Sequence, residues 1–420
     1  MVGVTFLAQV TTLVFSIAAG AIVARVLGRE GKGIVGLALL LPGMLGLFLG
    51  AGVGAANVYY AGSRRLDVSS LVGNSMALGI VGSLVGLVIV GILAATGGLE
   101  RLVRGVPAWL LLLGMAAVPS GLIGNYFKSI LMGIQRLIAV NIVQFACGFL
   151  ALALTLVFIV ALGLGPLGAV LASLSSGLVG LLAMASLLRR EAGGFRPRWD
   201  RSVLSCTLFF GLRCHVGNML QFFNYRLDVF ILNSFLGPAA VGVYGVSVAL
   251  AELLWYLPNS VSFVIFPKAA STRPEAMNLF TPRVFLVTLV LTALGGAGLA
   301  VVGKRLIEIV YSTAFAGAYW PMIALLPGVI LLGSARVLTN DIAGRGYPEY
   351  NSITAGVGLV LTIVFDLVLI PQHGILGAAL ASSIAYTAIF LTAIVFYLIV
   401  SRKARVRSAV PGGEVEVGAA

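Results

Sequence analysis

"LGREGKGIVG" at 27–36 and "LGPAAVGVYG" at 236–245 are one turn written twice: Leu27, Gly28, Gly33 and Gly36 return as Leu236, Gly237, Gly242 and Gly245, each 209 residues later. A second pair keeps that offset. In "GPLGAVLAS" (165–173) and "GILGAALAS" (374–382), Gly165, Leu167, Gly168, Ala169, Leu171, Ala172 and Ser173 recur as Gly374, Leu376, Gly377, Ala378, Leu380, Ala381 and Ser382. A weaker third match, "GIQRLIAVN" ending at Asn141 against "GRGYPEYN" ending at Asn351, needs a one-residue gap. A repeat of this length sets the architecture before any local feature does. Its glycines suit close helix packing at a tight reversal, so they read as scaffold and not as site.

What is repeated is membrane-spanning. The chain has 420 residues, of which 60% are hydrophobic and 10% charged, whereas soluble domains carry about a quarter charged residues. Apolar windows long enough to cross a bilayer fall near 4–26, 34–56, 71–96, 108–131, 139–162, 167–188, 206–235, 239–266, 282–302, 321–341, 350–371 and 374–400. The runs are continuous instead of alternating, which excludes a β-barrel. The expectation is an all-α integral membrane protein of twelve transmembrane helices in two six-helix lobes. An even repeat unit makes the lobes parallel, related by an axis along the membrane normal. The expected organisation is an N-terminal lobe at 1–188, a basic linker at 189–205 containing "RREAGGFRPRWDRS" (189–202), a C-terminal lobe at 206–400 and a tail at 401–420.

The net charge of +13 sorts by loop. Assigned each to its nearest loop, eighteen of the 27 Lys and Arg go to the even-numbered gaps and the tail and seven to the odd-numbered gaps, with Arg213 and Arg226 left within span seven. The positive-inside rule then puts both termini in the cytoplasm, and the charge reads as topology and anionic-lipid contact, not as nucleic-acid binding. The first apolar run, Val4 to Val26, has no basic region before it and exceeds a signal-peptide core, so it reads as a retained span. It opens almost at Met1, which leaves room for a start further upstream. Cys147, Cys206 and Cys214 form no CxxC pair and read as free thiols, with no metal site.

Charge inside a bilayer costs about 2.5 to 3.5 kcal/mol per residue at a helix centre and therefore needs a partner, water or a function. Span seven concentrates it. Cys214, Asn218, Gln221, Tyr225 and Asp228 recur at helical spacing on one face, flanked by Arg213, His215, Asn224 and Arg226. Span eight carries Glu252, Tyr256 and Asn259 on one face, and span one Thr5, Gln9, Thr12 and Ser16. Asn125 and Lys128 end span four, and Asn141 and Gln144 open span five. Arg336, Asn340 and Asp341 occupy the related region of the second half, and Asp366 stands alone in span eleven. Each of these also has a bland reading, as a satisfied interhelical polar group or a snorkelling side chain. Two similar lobes with polar faces point to an alternating-access transporter with its cavity at the lobe interface. No filter-like loop or charged ring supports a channel.

"AIVARVLGREGKGIVG" (21–36), "NYRLDVFILNSFLGPAAVGVYGVSVALAE" (224–252), "FPKAA" (266–270) and "LGAALASSIAY" (376–386) together resemble the polysaccharide-export, Wzx-like oligosaccharide flippases. That family belongs to the MATE/MOP superfamily with the multidrug extrusion transporters and lipid II flippases, and the resemblance covers essentially the whole chain. The major facilitator family shares the lobe plan, but its loop after span two is replaced here by "YYAGSRRLDVSS" (59–70). The resemblance implies a MOP-like fold and a multi-pass protein of the bacterial cytoplasmic membrane. It implies a protein that moves a polyprenyl-diphosphate-linked oligosaccharide, with membrane lipids and a polysaccharide polymerase or glycosyltransferases as partners; a monomer is the default expectation. A span-one arginine just before the first turn matters in lipid II flippases, and Arg25 resembles it. Arginine's planar fork suits phosphate, which makes Arg25, Arg213 and Arg226 the first headgroup candidates and Lys128 and Arg336 the second. Arg25 has an alternative reading, snorkelling to the outer interface. Asn218, Gln221, Tyr225 and Asn259 are candidates for bonding sugar hydroxyls, and Asp228, Glu252 and Asp366 for coupling to an ion gradient.

Proton-coupled MATE relatives commonly carry an acid in span one, and this chain has none there, so the energy source stays open. A MATE-type drug or cation antiporter is the alternative. "GLGPLG" (163–168) lies between two spans without a strand, and "GREGKG" lacks P-loop spacing, so neither nucleotide binding nor any cofactor is expected. No HExxH or GxSxG occurs, and an enzyme is not expected.

Overall fold

The computed structural model describes residues 2–191 and 198–409. The linker and tail expectations at 192–197 and 410–420, and the side chains of Thr5, Gln9 and Cys214, lie outside the described residues. Helix dominates throughout. In order the α-helices are α1 (Val2–Leu49), α2 (Val53–Gly62), α3 (Val68–Ala95), α4 (Gly98–Leu102), α5 (Ala108–Met115), α6 (Ala117–Gly133), α7 (Leu137–Thr155) and α8 (Gly165–Glu191). Then come α9 (Arg201–Leu236), α10 (Pro238–Ala251), α11 (Tyr256–Ser271), α12 (Pro274–Tyr311), α13 (Tyr319–Gly344), α14 (Glu349–His373) and α15 (Ile375–Ala409).

Ten stretches among the described residues are long and apolar enough to cross a membrane, and the bent pair Arg201–Arg213 and His215–Leu236 makes an eleventh. The first of them runs 40 residues, Val10–Leu49. At about 1.5 Å per residue that is roughly twice the thickness of a hydrocarbon core of about 30 Å. It breaks at Gly28, whose φ of 67° and ψ of −166° are not helical. Counting the two sides of that break separately gives the twelve expected spans.

The repeat is visible in the backbone. Gly237, the partner of Gly28, separates α9 from α10 with φ 76° and ψ −177°. Gly165 and Gly374, the second pair, have φ of 60° and 59°. At these positions a side chain would be strained, so the sequence spends a glycine in each half on the same conformation. Gly33 and Gly242 serve a different need. A methyl group on Gly33 would lie 1.7 Å from the Pro238 carbonyl oxygen, and one on Gly242 would lie 2.0 Å from that of Arg29, so the two turns cross backbone to backbone.

The chain forms two compact units. The first comprises Met1–Phe222, Val229–Gly245 and Glu308–Ala316; the second comprises Phe223–Asp228, Val246–Ile307 and Gly317–Ala420. In the first, α7 packs on α1 and α8, and α6 packs on α2, α3 and α8. One buried cluster there joins Leu71, Phe127, Ile130, Leu131 and Leu188. In the second, α13 packs on α11 and α15, and α14 on α15. Leu338, Ile342, Tyr397 and Val400 form a core there. Ile80, Leu84, Val88 and Leu294 are exposed, as expected of a surface that faces lipid.

Three interruptions were not legible as such. Span two breaks between α1 and α2, where Ala51 and Gly52 have positive φ. The break is braced: Tyr126 donates its hydroxyl to the Gly50 carbonyl at 3.1 Å, and the buried His215 Nε2 lies 3.2 Å from the Phe48 carbonyl oxygen. Span seven bends by 45° beside His215. Span eight changes to a 3-10 turn at Glu252–Trp255. At the linker end, Asp200 caps α9. The Ser202 hydroxyl and the backbone N–H groups of Ser202 and Val203 hold its carboxyl below the usual carboxylate range.

Candidate functional site

The second unit gathers five of the residues singled out in the sequence. Tyr225 and Arg226 come from α9, Glu252 from the 3-10 turn, Asn259 from α11 and Arg336 from α13. Arg226 grips Glu252 with both prongs of its guanidinium, Nη1 to Oε1 at 2.8 Å and Nη2 to Oε2 at 3.1 Å. Its Nη1 also donates to the Tyr225 carbonyl at 3.0 Å. Arg336 donates to the Tyr225 hydroxyl at 2.8 Å and to Asn259 Oδ1. The Arg336 guanidinium lies over the Trp255 ring, 4.3 Å from its centroid.

Trp255 and Tyr386 complete this cluster. Trp255 donates its indole N–H to the Val329 carbonyl at 3.0 Å, which fixes the ring plane under Arg336. Tyr225, Trp255 and Tyr386 then form an aromatic group with centroids 5.0 to 6.1 Å apart. Trp255 follows Glu252 by three residues and Tyr386 follows Ser382 by four, so helical spacing held both signals. Neither residue is charged, and the reading by charge passed over them.

A separate acidic pair lies deeper. Asp228 is buried and accepts a hydrogen bond from the Ser382 hydroxyl at 3.1 Å. Asp366 of α14 is fully buried, neither of its carboxyl oxygens has a hydrogen-bond partner among the described residues, and it interacts electrostatically with Asp228. One turn earlier on α14, the buried Thr362 hydroxyl is likewise unpaired. Burying a carboxylate without a partner is among the costliest arrangements in a protein. Two like charges together are costlier still. No group of three or more His, Cys, Asp or Glu suited to a metal ion occurs among the described residues.

The remaining sequence candidates belong to the first unit. Arg25 Nε donates to the Val310 carbonyl at 2.9 Å and its Nη2 to that of Ile309. Arg29 donates to the Ala314 carbonyl, and Lys32 lies 5.4 Å from the Tyr311 ring centroid. Arg25 therefore takes up carbonyls at the end of α12, where helix carbonyls lack intrahelical donors, while Arg29 bonds the 3-10 turn Thr313–Ala318 that follows it and Lys32 faces the Tyr311 ring. Arg213 is exposed beside the bend in α9, stacked 4.3 Å over Phe209. Lys128 is half-buried on α6, Asn218 is exposed, and Gln221 has a buried amide nitrogen with no acceptor among the described residues.

The described residues form a multi-pass, all-helical membrane protein, and its fold is that of solved MurJ and MATE structures. An inward closed structure of the lipid II flippase MurJ superposes with a TM-score of 0.79 at 14% identity, over 96% of this chain and 90% of that one. An inward-facing multidrug resistance MATE family transporter of the MOP superfamily gives 0.71 at 17%, over 95% and 96%. A probable low-salt glycan biosynthesis flippase, Agl15 of Haloferax volcanii, is 23% identical over 180 residues, 41% of this chain and 37% of that protein. Across the curated relatives matched, the aligned share of their length runs from 37% to 90%. The model of the polysaccharide biosynthesis protein family matches residues 22–319, and the chain belongs to that family.

Proposed function

We propose that the protein is a flippase that carries a polyprenyl-diphosphate-linked oligosaccharide across the cytoplasmic membrane, inner to outer leaflet, by alternating access. The carrying observation is the cluster of Arg226 and Arg336 around Tyr225, Trp255 and Asn259. Two guanidiniums meet the charge of a diphosphate, the aromatic rings offer flat faces to sugar rings, and the amide and phenol groups match hydroxyls. Asp228 and Asp366 supply the coupling step, binding a proton or a monovalent cation in one conformation and releasing it in the other. Family membership and the glycan flippase relative support the substrate class. Arg25, Lys128, Arg213, Asn218 and Gln221 are proposed as further contacts along the substrate's route.

The test is leaflet translocation in proteoliposomes. A labelled polyprenyl-diphosphate oligosaccharide is followed by its exposure to an impermeant modifying reagent, with a cationic dye under a proton gradient in parallel. Protein-dependent lipid movement without dye movement is the expected result. Dye movement alone would replace this reading with the antiporter, for which the buried acidic pair is the favouring observation.

A further inference from the structure

Glu252 is the acid that Arg226 pairs with in the arginine cluster, and its position is peculiar for a structural partner. A carboxylate bound through two parallel N–H···O bonds occupies the same planar fork that arginine offers to a phosphate. The pair is also accessible: the side chains of Arg226 and Glu252 keep 31% and 24% of their surface. Glu252 opens the 3-10 turn between α10 and α11, a stretch where the backbone is not locked in α-helical register. Arg336, in contrast, is held by the neutral groups of Tyr225 and Asn259 and by the face of Trp255, and among the described residues it makes no ion pair.

We propose that Glu252 is a built-in competitor for the substrate's phosphate, a specificity-determining and release group that occupies the fork of Arg226 and yields it to an incoming diphosphate. The inference rests on the headgroup reading above. No covalent bond forms or breaks; one charge-assisted contact is exchanged for another. Arg336 attracts the anion, and displacement of Glu252 admits its second charge to Arg226. The displaced carboxylate repels the bound diphosphate and reclaims Arg226 as the ligand leaves. The site therefore selects against anions too weak to displace a carboxylate, and it avoids holding its cargo so tightly that turnover stalls.

The full-length protein in nanodiscs is titrated with a short-chain polyprenyl diphosphate that carries no sugar, and leaflet translocation is measured on the same variants. Glu252→Gln is expected to bind the diphosphate about fivefold tighter or more, the scale of one partly exposed ion pair, and to translocate more slowly at saturating lipid. Glu252→Ala carries the same expected sign and guards against misfolding of one variant. A purely structural ion pair gives the opposite sign, because its loss loosens the site. Unchanged or weaker binding by both Glu252 variants, with Arg226→Gln and Arg336→Gln also weakened, overturns the competitor role and leaves the headgroup reading standing. Wild-type binding by both arginine variants overturns the headgroup reading itself.

Discussion

Arg336 shows how a cation is made useful at membrane depth. Its plane is set by Trp255, itself fixed through the indole bond to Val329, and its edges are aimed by Tyr225 and Asn259. Lysine has neither the planar face nor the fork, so Arg336→Lys and Arg336→Gln are both expected to lower lipid translocation about tenfold or more, as a stacked, hydrogen-bonded guanidinium implies. Full activity in the lysine variant would mean that charge alone suffices. Asp366 is the opposite case, an acid with no hydrogen bond to its carboxyl oxygens among the described residues. Asp366→Asn keeps the shape and removes the titratable group. The variant is expected to remain folded while translocation ceases to respond to an imposed proton or sodium gradient; a preserved gradient response would clear Asp366 of coupling. At this scale the sequence was partly legible. Charges in an apolar run announce themselves, so Arg226, Arg336, Asp228 and Asp366 were visible. Whether an arginine meets a carboxylate, a ring or a helix end depends on residues far along the chain, and Arg25 meeting the end of α12, 285 residues away, carries no local signal.

Elements divide into those written locally and those imposed by neighbours. The turns at Gly28 and Gly237 are local: the left-handed backbone needs glycine, and the 209-residue repeat displays the need twice. The break between α1 and α2 is imposed, because its carbonyls are braced by Tyr126 and His215 from other spans. A hydropathy window sees uninterrupted apolar sequence there. The repeat also contains a built-in control. Gly33 and Gly242 face backbone at distances no Cβ tolerates, whereas a methyl group on Gly36 or Gly245 meets open space. Gly33→Ala and Gly242→Ala are therefore expected to destabilise by about 2 kcal/mol or more, since backbone has to move, while Gly36→Ala and Gly245→Ala stay within about 0.5 kcal/mol. Thermal unfolding of the four variants in detergent orders them, and equal stability across the set would contradict the backbone crossing.

For the whole molecule the open variable is orientation, and charge argues for one answer. Eighteen Lys and Arg fall in or nearest the even-numbered gaps and tail against seven in or nearest the odd-numbered gaps. Short loops resist translocation roughly in proportion to such charge, and here nearly every loop is short. A flippase that loads on the cytoplasmic face gains from this bias twice, because a basic surface also concentrates diphosphate lipids of that leaflet. The prediction is specific to each turn. In a background with Cys147, Cys206 and Cys214 replaced by Ala, single cysteines at Ser63, between α2 and α3, and at Gly346, between α13 and α14, are expected to react with an impermeant thiol reagent only after the membrane is opened. A cysteine at Arg101 in α4, and one at Gly163 between α7 and α8, should react in intact cells. Each half contributes an even number of crossings, so the linker and both ends have to share one side. If Ser63 labels from outside while Gly346 stays protected, the halves are inverted, and the parallel repeat fails with the orientation. If all four reverse together, the repeat survives, and the arginine-rich face belongs to the leaflet that receives the lipid.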